Sequence, residues 1–313
     1  LGFAPGQQAA ALPSEIALAY DSILKAPPKQ SLDQRWSVWG AGFGGNAAYD
    51  GNATVGSNNV SVSTYGTAAG MEYRADPRTV YGFTLAGSGL NWGLAQGLGT
   101  GSSNALQVGV YGKTYWGAAY LSGALAFGNN WFSTNRTALG DRLAASFTGQ
   151  SYAARGEFGY RYTVPVANAL IGATPYGALQ TQWFYAPAYG ETDLSGGGLG
   201  LSYASTTAND TRSELGARFD DLTTLNNKPL ILGARLAWAH DWTNGTALNA
   251  VFESLPGSAF TVNGAPLPRD SALTSASAQY FFTPALSFTT KFDGEFAPTS
   301  QTYAGSGTLK YAW

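Results

Sequence analysis

Leu286–Ala297 reads LSFTTKFDGEFA. Taken at alternate positions, one set is Leu286, Phe288, Phe292 and Phe296, and the other is Ser287, Thr289, Lys291, Asp293 and Glu295. Side chains along a strand point to opposite faces in turn, so this is a strand with one apolar and one charged face. The same split recurs upstream. In Tyr152–Tyr162, Tyr152, Phe158, Tyr160 and Tyr162 oppose Arg155, Glu157 and Arg161. In Thr211–Phe219, Leu215, Ala217 and Phe219 oppose Glu214 and Arg218. In Leu230–Trp242, five apolar positions oppose Arg235 and Asp241. A soluble barrel turns its apolar face inward. A barrel in a membrane inverts this, with apolar residues on lipid and charges around a wet lumen.

Composition favours the inverted arrangement. The 313 residues include 41 Gly, 18 Tyr, 16 Phe and 9 Trp, but only 12% are charged. An ordinary soluble domain carries about 25% charged residues. Mean hydropathy is nevertheless -0.10. No apolar run reaches the ~18 residues of a transmembrane helix. What remains is a chain that crosses a membrane by alternation. Cysteine is absent, which excludes disulfides, thiol nucleophiles and Cys-ligated metals. A net charge of -2 argues against nucleic acid as a partner. The start, LGFAPGQQAA, has neither Met nor a basic leader and reads as a piece cut from a longer precursor.

Twelve period-2 segments follow Gln34: 35–46, 61–74, 79–92, 102–115, 118–130, 143–163, 172–186, 211–220, 230–242, 271–282, 286–297 and 301–313. Their even number suits a closed barrel. Short links such as ADPR, WG and TPA alternate with mostly long links rich in Gly, Asn, Ser and Thr, Asn46–Val60 and Thr243–Asp270 being the plainest and the brief PTS between the last two segments the exception. Short turns on the periplasmic side and long loops outside give this pattern, and parity puts both ends of the barrel segment on the periplasmic side. Twelve strands leave a lumen too wide for side chains to fill, since about eight is the limit. The charged faces therefore line it. Aromatics near strand ends, among them Trp36, Trp39, Trp92, Trp131, Trp183, Trp242 and Trp313, suit the girdles at the two interfaces. Tyr203 and Phe219 read as lipid-facing.

The first 33 residues differ. LPSEIALAYDSILKAPP carries a helical stripe of Ile16, Tyr20, Ile23 and Leu24, opened by Ser14 as N-cap and stopped by Pro27 and Pro28. Glu15, Asp21 and Lys25 lie off that stripe. The reading is a linker over 1–33 with a helix at about 13–26, then a barrel over 34–313.

Chemistry finds little support. His240, the one histidine, sits between Trp238 and Trp242 on the apolar face. The Gly-rich segment GSGLNWGLAQGLGTGSS opens no helix and has no following Lys, so it is no phosphate loop. Asp220 and Asp221 read as solvated at a turn. No catalytic residue, metal or cofactor is expected. The functional candidates are the lumenal charges Glu72, Arg74, Arg155, Glu157, Arg161, Glu214, Arg218, Arg235, Lys291, Asp293 and Glu295. They either pair along the wall or act directly in transport, and the two are compatible.

The chain resembles the C-terminal translocator domain of the autotransporters, the β-domain of type V secretion. The resemblance runs from about Leu12 to Trp313. It is carried by the helix and Pro-rich linker leading into RWSVWGAGFGG, then by TYGTAAGMEYR, DPRTVYGFTLAGSG, SYAARGEFGYRY, TPYGALQTQWF, SELGARF, GARLAWAHDW, KFDGEFA and the terminal GTLKYAW. It implies an all-β fold, a 12-stranded antiparallel transmembrane β-barrel with an N-terminal α-helix inside the lumen. It implies a monomer in the bacterial outer membrane, among lipid and lipopolysaccharide, with long loops at the cell surface. There it would export its upstream passenger with the barrel assembly machinery and keep the helix (Ser14, Glu15, Ile16, Tyr20, Asp21, Ile23, Leu24) as a plug. Leu309, Tyr311 and Trp313 resemble the C-terminal aromatic signature that the machinery reads. The adjacent-Asn cleavage site of some members is not seen in the helix. The competing readings are a porin-like channel or an adhesin barrel without passenger export, a lipid-acting enzyme barrel, and a soluble sandwich.

Overall fold

A computed structural model describes residues 35–166, 169–242, 247–255 and 257–313. The helix expected over 13–26 lies outside them. In chain order the strands are β1 (Trp36–Tyr49), β2 (Val60–Asp76), β3 (Thr79–Leu94), β4 (Gly99–Trp116), β5 (Ala119–Ala138), β6 (Asp141–Tyr160), β7 (Tyr162–Val166), β8 (Ala169–Ala186), β9 (Tyr189–Gly190), β10 (Thr192–Asp193), β11 (Leu201–Tyr203), β12 (Thr206–Leu225), β13 (Lys228–Asp241), β14 (Ala247–Phe252), β15 (Phe260–Asn263), β16 (Asp270–Phe281), β17 (Leu286–Ala297) and β18 (Ser300–Ala312).

Twelve of them, β1–β6, β8, β12, β13 and β16–β18, form one closed antiparallel ring. It is the twelve-stranded barrel that the alternation predicts. β7 continues the line of β6 past Arg161 and pairs with the start of β8. The seam between first and last strands runs from Ser37↔Ala312 to Tyr49↔Ser300. Trp36 and Trp313 close it by exchanging N–H···O bonds of 3.1 and 2.9 Å. Closure matters because an open edge in hydrocarbon leaves backbone groups without partners.

Outward positions carry the apolar set: Phe83 and Leu85 on β3, Val108 and Val110 on β4, Leu121 and Leu125 on β5, Leu232 and Leu236 on β13. From Leu121 to Trp131 the rise along a tilted strand is about 25 Å, the height of the apolar band in such barrels. Past Trp131 the outward face of β5 becomes Ser133, Asn135 and Thr137, so this part stands clear of the band. The end holding Trp36 and Trp313 is called proximal below, and the end with the long connections distal. Among the described residues no helix is long and apolar enough to cross a membrane.

Several segments that read as distal loops are strands. Residues 131–142 read as a loop because both faces lose their apolar signal. Instead β5 and β6 each run 20 residues and meet at Leu139–Gly140, with φ of 49° and 89°. Their inward faces explain the extension: Phe132, Leu143, Ala145 and Phe147 are buried there. β9, β11, β14 and β15 add a separate four-stranded sheet from the long connections. Its core joins Leu201, Tyr203, Leu248, Ala250 and Val262. Tyr203 is therefore buried outside the band, not lipid-facing. The segment repeats barrel alternation but packs on another loop.

Candidate functional site in the barrel lumen

The inward faces of β6, β12, β13 and β17 bring the charged positions together. Glu157 on β6 accepts from Arg218 at 2.5 and 2.8 Å, from Arg155 at 3.0 Å and from the Tyr120 hydroxyl at 2.7 Å. Arg155 also forks onto Glu214 at 2.7 and 2.9 Å. Arg235 lies 3.9 Å from Glu214 and 3.3 Å from Asp293, and Lys291 lies 2.8 Å from Asp293. Some of these contacts skip a strand. Strands are about 4.8 Å apart, so a long Arg opposite a Glu reaches over one small inward residue. Ala178 of β8 and Ser275 of β16 are such residues.

Glu72 and Arg74 lie toward the proximal end of β2. Glu72 pairs with Lys310, accepts from Ser37 Oγ at 2.9 Å and from the Tyr111 hydroxyl at 3.2 Å. The Arg74 N–H bonds to the Arg35 carbonyl at 2.8 Å. Arg161 pairs with Asp220. Asp220 thus belongs to the wall and not to a solvated turn, because β12 continues to Leu225.

Glu295 has a partner that the candidate set omits. Arg212 forks onto Asp241 at 2.8 and 2.9 Å and onto Glu295 at 3.1 and 2.8 Å. The signal was available, since 212, 214 and 218 share one parity on β12. Lys113 was also omitted; its ammonium lies 4.0 Å over the Tyr120 ring. A further buried pair, Arg136 with Glu191 at 2.9 and 2.6 Å, joins β5 to the β9–β10 connection. No local pattern links those two positions.

The opposite wall carries Ala41, Ala68, Ala86, Ala105 and Ala124 at inward positions of β1–β5. Trp39, Phe43 and Tyr111 pack beside them, so Trp39 faces the lumen and not an interface girdle, while Glu72 and Lys113 lie buried toward the proximal end. The lumen thus has a side dense in paired charges and a side of alanines and aromatic rings. A cavity of about 130 Å³ lies between them, lined by Asp210, Arg212, Glu295, Phe43, Tyr49 and Pro268 among others. Burying these ions singly would cost several kcal/mol each, which pairing offsets. The wall can hold an ordered polar surface inside a wide pore.

Catalytic geometry is thin. His240 Nδ1 lies 2.8 Å from Asp270 Oδ1, with the Trp238 and Trp242 rings on either side, on the outward face. Among the described residues no group of three His, Cys, Asp or Glu side chains could hold a metal.

Leu309, Tyr311 and Trp313 project outward along β18, all half-exposed, with the Tyr311 and Trp313 rings stacked at 5.9 Å.

A closed ring of antiparallel strands, apolar outside and charged within, defines a transmembrane β-barrel with a polar lumen. The family model described as the autotransporter beta-domain matches residues 38–293, and the chain belongs to that family. No curated protein sequence matches the chain. Among solved structures, it is similar to the translocator domain of the autotransporter NalP from Neisseria meningitidis. That match has a TM-score of 0.76 and 14% identity, covering 99% of each chain. It is also similar to the beta domain of the Bordetella autotransporter BrkA, at a TM-score of 0.67 and 15% identity, over 89% of this chain and 100% of that one. The transport unit of AIDA-I from Escherichia coli gives 0.63 and 15%, over 99% and 100%.

Proposed function

We propose that the chain is an outer-membrane translocator that brings an N-terminal passenger to the cell surface through its lumen. The observation that carries this is a closed twelve-stranded ring with paired charges inside, in a chain of the autotransporter family. Residues 34–313 act as the barrel domain and residues 1–33 as linker. The linker helix over about 13–26 fits a two-sided lumen. Its apolar stripe of Ile16, Tyr20, Ile23 and Leu24 suits the side of alanines and rings, and its charges Glu15, Asp21 and Lys25 suit the charged wall. It stays there as a plug after export.

The long connections lie at the cell surface and the proximal end faces the periplasm. The barrel works as a monomer among lipid and lipopolysaccharide, performs no catalysis and needs no cofactor. Leu309, Tyr311 and Trp313 present the signature read by the barrel assembly machinery. To test the export claim, a reporter domain is fused upstream of Leu1 and intact cells are treated with external protease. Loss of the reporter without outer-membrane rupture is expected. A reporter cleaved only after rupture contradicts it.

A further inference from the structure

The inward-facing residues of a wet pore mouth should be polar. In this barrel Val62, Leu90, Trp92, Phe132, Phe147 and Phe184 face inward near the distal end and pack as one buried apolar cluster. Ala265 belongs to the same cluster. It lies between β15 and β16, in the stretch of chain that leaves the ring at β13 and rejoins it at β16. In the order of strands, those two stand opposite β3 and β4. The connection therefore crosses the mouth. Pro268, further along it, lines the lumenal cavity with Phe43 and Ala47 of β1.

The connection between β8 and β12 adds a second span. Tyr189 stacks on Phe147 at 4.2 Å and on Tyr203 at 4.7 Å, so one ring joins the barrel wall to the external sheet. Glu191 holds Arg136 of the wall and accepts from the Leu201 N–H at 3.1 Å, while Arg136 reaches the Leu199 carbonyl at 3.0 Å. Both ionic side chains are buried.

We propose that these two connections form a lid that seals the extracellular mouth independently of residues 1–33. The proposal rests on the translocator reading of the lumen. A polypeptide in transit cannot occupy a dry apolar cluster. The lid therefore seats after the passenger has left and closes the pore to small solutes.

The test is conductance in planar bilayers of four proteins: the whole chain, a deletion of 1–33, a variant with 244–268 replaced by a short Gly-Ser linker, and the combination. The combination should conduct about tenfold more than the deletion of 1–33 alone, since a bare twelve-stranded lumen is a wide pore. Equal conductance of the 1–33 deletion and the combination overturns the lid. Equal conductance of the linker variant and the combination instead overturns the plug helix and leaves the lid as the seal. If the linker variant does not fold, judged by heat-dependent gel migration, Tyr189→Ala with Arg136→Ala replaces it. In the 1–33 deletion this pair should raise conductance, and an unchanged value overturns the proposal.

Discussion

Glu157 is 2% exposed and accepts from two guanidiniums and a phenol. Removing it leaves Arg155 and Arg218 short of their counter-charge in a buried wall. Breaking a buried pair from one side costs about 3–5 kcal/mol. Glu157→Ala should lower the urea midpoint of the barrel in lipid vesicles accordingly, and Glu157→Gln should lower it less. An unchanged midpoint for Glu157→Ala contradicts the wall.

Asp193, outside the membrane band, gives a pH test. Its carboxylate accepts from the N–H groups of Gly198 (2.7 Å), Gly196 (2.6 Å) and Ser195 (2.9 Å). The Gly198 bond leads in holding its pKa down to about 2 from an ordinary 3.8. A depressed acid stabilises fully above its unfolded pKa and loses that effect as pH falls through the folded one. Amide-exchange protection at Ser195, Gly196 and Gly198 should hold down to about pH 4 and fade toward pH 2. Asp193→Ala, which leaves no side-chain acceptor, should lose it at pH 7, and persistent protection in that variant sinks the account.

At this scale the sequence is legible where parity applies. Arg155 and Glu214 share inward parity on separate strands, and Arg212 follows by the same count. The Arg136–Glu191 pair obeys no such rule, because Glu191 sits in a connection whose path depends on tertiary packing.

Among the elements, β18 carries the most consequence. Its ladders to β1 and β17 are continuous, and its terminal residue is bonded where chain ends usually fray. Deleting Trp313 should cut the amount of folded barrel in the outer membrane more than Phe83→Ala, which removes a lipid-facing ring in mid-barrel. Equal amounts of the two contradict a role for Trp313 in assembly. The strands inside the apolar band were legible because lipid and lumen impose period 2 on every residue. Beyond the band that constraint ends. β5 and β6 continue past Trp131 on the strength of Phe132, Leu143, Ala145 and Phe147, and polar residues disguise them as a loop. β12 is longer than it reads for a related reason: its proximal turn is the two-residue Asn226–Asn227, both at left-handed φ of 51° and 59°. Such turns extend the hairpin.

Taken as one object, the barrel is a half-wall dense in paired charges facing a half-wall of alanines and aromatic rings, roofed at the distal end by its own connections. The ring, its size and its inverted polarity followed from alternation and closure. The roof did not, because it joins loop residues far apart in sequence by apolar contact, with no period to betray them. The central claim is that a polypeptide travels along the lumen, and photo-crosslinking tests it most directly. A crosslinking amino acid is placed inward at Ser275, and in a second protein outward at Leu236, each behind a passenger stalled in transit. The account predicts passenger adducts from position 275 and none from position 236. Adducts absent from position 275 in a stalled, correctly inserted barrel would contradict it.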